Sequence, residues 1–360
     1  MNRPAMGLRS AAALGCTLWA VACSDATRPG GPPRAFRMGF SAIPPRPDLD
    51  VTLQALNVWT SSHADAAILH VSVPYTALLA GIPAKQAVDS NELGLANYYR
   101  AKGLRVVITV DVTNGLDRSQ EDPALVALGR SITDTAIQHL YRDFVLALDT
   151  ILHPDYLGLA AETNLIRAAA PDSVYQALVA MTNVTAAQLV ALGPGPKLFV
   201  SVQVEVAWGR LVPGGAYVGI AQDLADFPFG EALGLSSYPY LGGFADPENM
   251  PLDYYARIHA ESALPVLVVE GGWPSISVGA ITSTPAEQAR YFGYQARLLD
   301  SARAVALFQL TFTDLDLSAF PVPPGSALPL FAHLGLVDSA LGPKPALTVW
   351  DSLFAVPLAP

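Results

Sequence analysis

Short, β-prone apolar runs alternate along this chain with stretches whose apolar residues recur every three or four positions. The runs are "FRMGFSAI" (36–43), "AAILHVSV" (66–73), "LRVVITVDV" (104–112), "YLGLAAE" (156–162), "LFVSVQVEV" (198–206), "ALGLSSY" (232–238), "PVLVVE" (265–270) and "AVALFQL" (304–310). Val266, Leu267, Val268 and Val269 are apolar without interruption, as in a strand buried on both faces of a helix-covered parallel sheet. The intervals carry helix signals. Leu140, Phe144, Ala147 and Ile151 follow the spacing of a buried helix face, as do Val174, Leu178 and Met181. Gly193-Pro194 stops the second of these helices, and Thr284-Pro285-Ala286-Glu287 reads as a capping box with proline at the first helical position. Eight strands separated by helices predict an α/β fold, a single-domain (β/α)8 TIM barrel over residues 36–360, rather than two doubly wound domains. No Gly-rich phosphate or dinucleotide loop follows the first strand, and no internal repeat is visible.

The N-terminus follows a different pattern. Arg3 and Arg9 precede the apolar run "AAALGCTLWAVA" (11–22), which has the charge and length of a secretory signal, and Cys23 follows directly. "AVAC" resembles the lipobox of bacterial lipoproteins, although Ala20 stands where leucine is usual. The expectation is a signal peptide over 1–22, lipidation at Cys23, and a Gly/Pro-rich tether over 23–35 that leads to the barrel. Both cysteines, Cys16 and Cys23, are then spent at the N-terminus, so the body must be held by its core rather than by disulfides.

The composition allows that, with 51% hydrophobic and 14% charged residues among 360. Beyond the first 23 residues no apolar stretch suggests a membrane span, so the body reads as soluble and a monomer is expected. Without Arg3 and Arg9 the 21 basic residues become 19 against 31 acidic ones, a charge of −12. That balance excludes a nucleic-acid partner and an anionic membrane surface; membrane contact is expected only through the lipid anchor.

In a (β/α)8 barrel the chemistry lies at the C-terminal ends of the strands. Those ends supply Arg46, His70, Asp111, Asn114, Glu162, Asn164, Glu205, Trp208, Tyr238, Tyr240, Glu270, Trp273, Gln309 and Asp314. Carboxylates with aromatic neighbours dominate, a combination suited to carbohydrate: rings stack on the sugar face while two carboxyl groups cleave the glycosidic bond. His63, His70, His139, His153, His259 and His333 show no paired i, i+4 spacing, so no metal is expected; a G-x-S-x-G elbow is also missing. Strand alternation leaves Ser236 and Tyr238 on one face and Ser237 on the other.

Two carboxylates close the fourth and seventh strands, in "YLGLAAETN" and "VLVVEGGWPS". This arrangement resembles the clan of retaining β-glycosidases with a (β/α)8 fold. "VVEGGWPS" is similar to the nucleophile segment of family 17 β-1,3-glucanases and, less closely, of family 53 endo-β-1,4-galactanases, and "SSYPYLGG" resembles the sixth strand of the same families. The resemblance implies Glu162 as acid/base, Glu270 as nucleophile and Tyr238 as the group that orients it. It also implies a carbohydrate substrate and no cofactor. Ala161 stands where the clan has asparagine, and Asn164 is the candidate to replace that contact with the sugar. Trp208 and Trp273 are candidates for stacking on the sugar; Glu205, His70 and Asp111 are candidates for hydrogen bonds at the rim. Retaining hydrolysis of a β-linked poly- or oligosaccharide is thus the leading expectation. A non-catalytic glycan-binding lipoprotein on a degenerate hydrolase barrel is the alternative.

Overall fold

The computed structural model describes residues 33–211 and 217–360. The expected signal peptide, Cys23 and most of the expected tether lie outside the described residues. Eight parallel strands close into a barrel in chain order: β1 (Arg37–Ser41), β2 (Ala66–Ser72), β3 (Arg105–Asp111), β4 (Tyr156–Gly158), β5 (Lys197–Gln203), β6 (Ala232–Ser237), β7 (Val266–Gly271) and β8 (Ala304–Gln309). Closure is explicit, because β1 pairs with β2 through Gly39–Ala66 and with β8 through Gly39–Phe308. The expected (β/α)8 barrel is therefore the observed fold.

Each strand leaves one row of side chains for the barrel interior and one for the helix layer. Ile68, Val107, Phe199, Leu267, Val269 and Phe308 form an inner cluster, all buried. Phe199 fits only because its neighbours across the strands are small: a Cβ at Gly158 would stand 2.6 Å from its ring, and one at Gly234 would stand 3.0 Å away. The larger core lies between barrel and helices, where Phe40 packs against Trp350 with ring centroids 4.6 Å apart. Helix Thr135–Leu152 buries Phe144 and Ala147, and helix Asp172–Ala191 buries Val174, Leu178 and Met181. The second of these is long and apolar enough by composition to match a membrane span, a stretch that the sequence reading passed over. Its buried residues, among them Val174, Leu178 and Met181, belong to the core cluster between barrel and helices.

Local chemistry explains the two strands that end early. β4 stops at Gly158, and Glu162 then adopts a left-handed backbone (φ 50, ψ 47) that starts helix Thr163–Ala169. β5 stops at Gln203, whose side-chain oxygen accepts from the Val206 amide at 2.7 Å and winds Val204–Ala207 into a helical turn. Thr284 caps helix Pro285–Ser301, its hydroxyl accepting from the Glu287 amide. Arg34, placed by the sequence in the tether, belongs to the packed body: it is buried, pairs with Asp65 at 2.8 Å and bridges to Leu358 beside the C-terminus.

Candidate active site

At the C-terminal ends of the strands lies a cavity of about 340 Å³, within the size range of small-ligand sites. Its polar lining comes from seven of the eight strands or the loops that follow them: His70, Asp111 with Arg118, Glu162, Gln203, Tyr238, Glu270 and Thr311. Glu162 is 6% exposed and Glu270 is mostly buried at the end of β7.

The two carboxylates meet at one hydroxyl. Ser236 Oγ lies 2.6 Å from Glu162 Oε1 and 2.7 Å from Glu270 Oε1. The nearest oxygens of the pair can therefore be no farther apart than the sum of those distances. That upper limit lies below the roughly 6.5–9.5 Å that an inverting pair needs to admit water and accommodates the separation of about 5–5.5 Å of a retaining pair. The hydroxyl also constrains the protonation state. It has one proton to donate, so both short contacts are hydrogen bonds only when one carboxyl is itself protonated and donates to Ser236 Oγ. The other carboxyl then accepts the serine proton.

The surroundings act on both acids. Burial pushes Glu162 above the usual carboxylate range; Arg118 opposes this, and the charge on Glu270 adds to it. Burial also pushes Glu270 up, against the Ser236 hydrogen bond and Arg118, with Asp111 adding to the rise and a hydrogen bond from Tyr238 opposing it. Burial and the neighbouring carboxylates hold the Tyr238 phenol far above its ordinary value, so it stays protonated beside Glu270. Arg118 Nε donates to Glu162 Oε2 at 2.8 Å while its Nη1 donates to Asp111, so one cation serves two carboxylates. Burial alone would weaken its charge, but Asp111 and Glu162 outweigh burial and keep the guanidinium protonated. His70 Nδ1 stands 3.6 Å from Glu270 Oε2. Burial pulls the imidazole down to about 4, so it is neutral at physiological pH despite Asp111.

Among the sequence candidates, Glu162, Glu270, Tyr238, His70 and Asp111 share this cavity, and four others do not line it. Trp273 is 0% exposed, stacks on Tyr291 at 5.4 Å and donates to Ser283 Oγ, so it is a wedge between strand and helix rather than a platform for sugar. Trp208 is 7% exposed and donates to the Tyr254 carbonyl, with its ring against Tyr217. Asn164 is also fully buried; its amide exchanges two hydrogen bonds with the Gln203 backbone, at 2.9 and 2.7 Å, which leaves it unable to replace the missing asparagine at Ala161. Glu205 falls in the helical turn after β5, where Gln203, Ser237, Tyr254 and the Tyr238 amide all donate to it. It anchors the chain after β6 from the outer side.

Two residues that matter here were outside the sequence candidates. Arg118 lies in the loop after β3, where an arginine ordinarily points to solvent, and nothing in its neighbours along the chain marks it. Ser236 carries a signal in the sequence, since strand alternation places it on the same face as Tyr238.

No family model matches the chain, and no curated protein matches it. Solved structures do match. A family 5, subfamily 18 glycoside hydrolase from Bifidobacterium longum, in complex with a β-1,4-linked mannosyl-N-acetylglucosamine, is 18% identical with a TM-score of 0.62 over 90% of this chain and 80% of that one. A family 53 catalytic domain from Ignisphaera aggregans is 15% identical, with a TM-score of 0.60 over 89% of this chain and 97% of that one. Xylanase 10B from Thermotoga maritima is 14% identical, with a TM-score of 0.61 over 89% and 94%. At these identities the likeness is one of fold: this chain has the barrel on which those glycoside hydrolases are built.

Proposed function

We propose that this protein is a retaining β-glycoside hydrolase in which Glu162 is the acid/base and Glu270 the nucleophile. The observation that carries the reading is the sharing of the Ser236 hydroxyl by two buried carboxyls at the ends of β4 and β7. A proton on Glu162 would be donated to Ser236 Oγ, and Ser236 and Tyr238 would both donate to an ionised Glu270. Arg118 then holds the remaining oxygen of Glu162. In the first step Glu270 attacks the anomeric carbon while Glu162 protonates the departing oxygen; in the second, Glu162 as base takes a proton from water, which displaces Glu270.

Kinetics of the two alanine variants test the roles. Glu270→Ala should lose turnover of every substrate, because no glycosyl-enzyme forms. Glu162→Ala should retain activity on aryl β-glycosides with good leaving groups, with azide restoring part of the second step. The reverse pattern would exchange the roles. The competing reading, a glycan-binding protein without turnover, draws on Ala161 and on the Arg118 ion pair, which favours an ionised Glu162. Binding on a glycan array with no hydrolysis of any aryl β-glycoside would establish it. Export as a bacterial lipoprotein of the cell envelope, anchored at Cys23, is part of the same proposal and rests on Arg3, Arg9, the apolar run and "AVAC".

A further inference from the structure

The polar floor of the cavity is surrounded by aliphatic walls. Ile43 follows β1, Leu116 lies in the loop after β3, Leu165 on the helix after β4, Leu241 after β6, and Leu310 directly after β8; all line the cavity. None is fully buried, and Leu116 is 46% exposed. A cleft that binds successive sugar units needs ring faces to stack on and many donors and acceptors, because each buried hydroxyl without a partner is costly. Here Trp208 and Trp273 are withdrawn from the cavity, and among the described residues the phenyl and phenol rings lining it are Phe331 and Tyr238, packed edge to face on each other at 4.9 Å. The polar side chains sit at the floor and several are already engaged: Arg118 with Asp111 and Glu162, Gln203 with Glu205 and the Val206 amide.

The aliphatic side chains also have a place relative to the acid. Leu165 lies three residues beyond Glu162 on the helix that Glu162 starts, and Leu116 shares the loop that carries Arg118 onto the Glu162 carboxyl. Both line the same cavity as the carboxyl that would protonate the leaving group.

Resting on the hydrolase reading above, we infer that the aglycone of the substrate is apolar: the protein cleaves alkyl or aryl β-glycosides, with one sugar ring at the carboxylate floor and the apolar leaving group along Leu116 and Leu165, in preference to the sugar–sugar bonds of an oligosaccharide. The bond broken is the one between the anomeric carbon and the aglycone oxygen. Glu162 gives that oxygen its proton, and water returns one to Glu162 when the sugar is released.

The experiment uses octyl and methyl β-glycosides and β-linked disaccharides of the same glycone, over gluco, galacto, manno and xylo series, with activated aryl β-glycosides as the reference for hydrolysis. For the accepted glycone, kcat/KM for the octyl glycoside should exceed that for the methyl glycoside and for the disaccharide by at least about tenfold, what the burial of roughly two methylene groups supplies. In Leu116→Ser/Leu165→Ser the octyl-to-disaccharide ratio should fall by about the same factor; being a ratio within one variant, it is unaffected by partial loss of folded enzyme. Turnover of aryl glycosides with equal or better use of the disaccharide would overturn the apolar aglycone and leave the hydrolase reading intact, as would a ratio that the double variant does not change. Absence of turnover on every aryl glycoside would remove both.

Discussion

Ser236 is one hydroxyl between two acids, and the site's electrostatics follow from that arithmetic of protons. Three carboxylates, Asp111, Glu162 and Glu270, surround a single guanidinium, so retaining one proton in the group relieves repulsion that burial has already made expensive. The consequence extends to stability. A carboxyl whose pKa is raised by folding holds its proton in the folded state at pH values where the unfolded chain has released it, so stability falls as pH rises from the ordinary glutamate value through the raised one. Glu162→Gln keeps the shape of the protonated acid and removes this titration. The variant's melting temperature should therefore decline less than that of the wild type as pH rises from about 4.5 toward 8, and should exceed it at the alkaline end; differential scanning calorimetry across that range checks the slope. A wild-type curve that is flat or rises over the same interval would show Glu162 ionised throughout. Glu162 and Glu270 were legible in the sequence because each carboxylate directly follows an apolar run, at the level of a barrel where side chains are both buried and gathered around the mouth. Arg118 was not, since a loop arginine acquires its role only from what the folded loop places beside it.

Asn164 shows how the elements hold those residues. Its amide clamps the backbone of Gln203, joining the first turn after β4 to the end of β5, and Gln203 in turn caps the turn that presents Glu205. Glu205 then receives the amide of Tyr238, so the end of β6 is set from behind by a chain of buried hydrogen bonds that begins beside Glu162. Removing the clamp leaves a buried amide hydrogen and a carbonyl without partners. Asn164→Ala should cost about 2–4 kcal/mol, measured by urea denaturation, with activity falling because Glu162 loses its fixed start of helix. A loss below about 0.5 kcal/mol, the size expected of a surface change, would mean that water replaces the amide. Strand-end position, with aromatic character for the tryptophans and the missing asparagine at Ala161 for Asn164, suggested Asn164, Glu205, Trp208 and Trp273 as substrate contacts. Each instead is buried in the packing behind the cavity, because a residue past the last ladder bond can turn either way.

Over the whole molecule, the barrel supplies stability and the cavity departs from it. Aromatic side chains such as Phe40, Trp59 and Trp350 fill the layer under the helices, while carboxylates, an arginine and half-exposed leucines occupy the mouth. The charge of −12 expected for the exported body keeps it off anionic surfaces, so a lipid at Cys23 would be its route to a membrane. Metabolic labelling with a fatty acid should tag the wild type and not Cys23→Ala; equal labelling of the two would remove the anchor from the proposal.

The sequence by itself determined the number of strands, their order and the level at which the chemistry sits, because hydrophobic period and capping are local properties that a barrel reads out one βα unit at a time. It also marked the acids that end β4 and β7. Which strand-end side chains turn inward was decided only by the tertiary structure: Trp273 and Trp208 went to the core and Arg118 came in from a loop. The single hydroxyl between Glu162 and Glu270, and the aliphatic walls around them, arise from residues dozens of positions apart. Closure of the barrel brings them together, and no periodicity along one strand encodes that meeting.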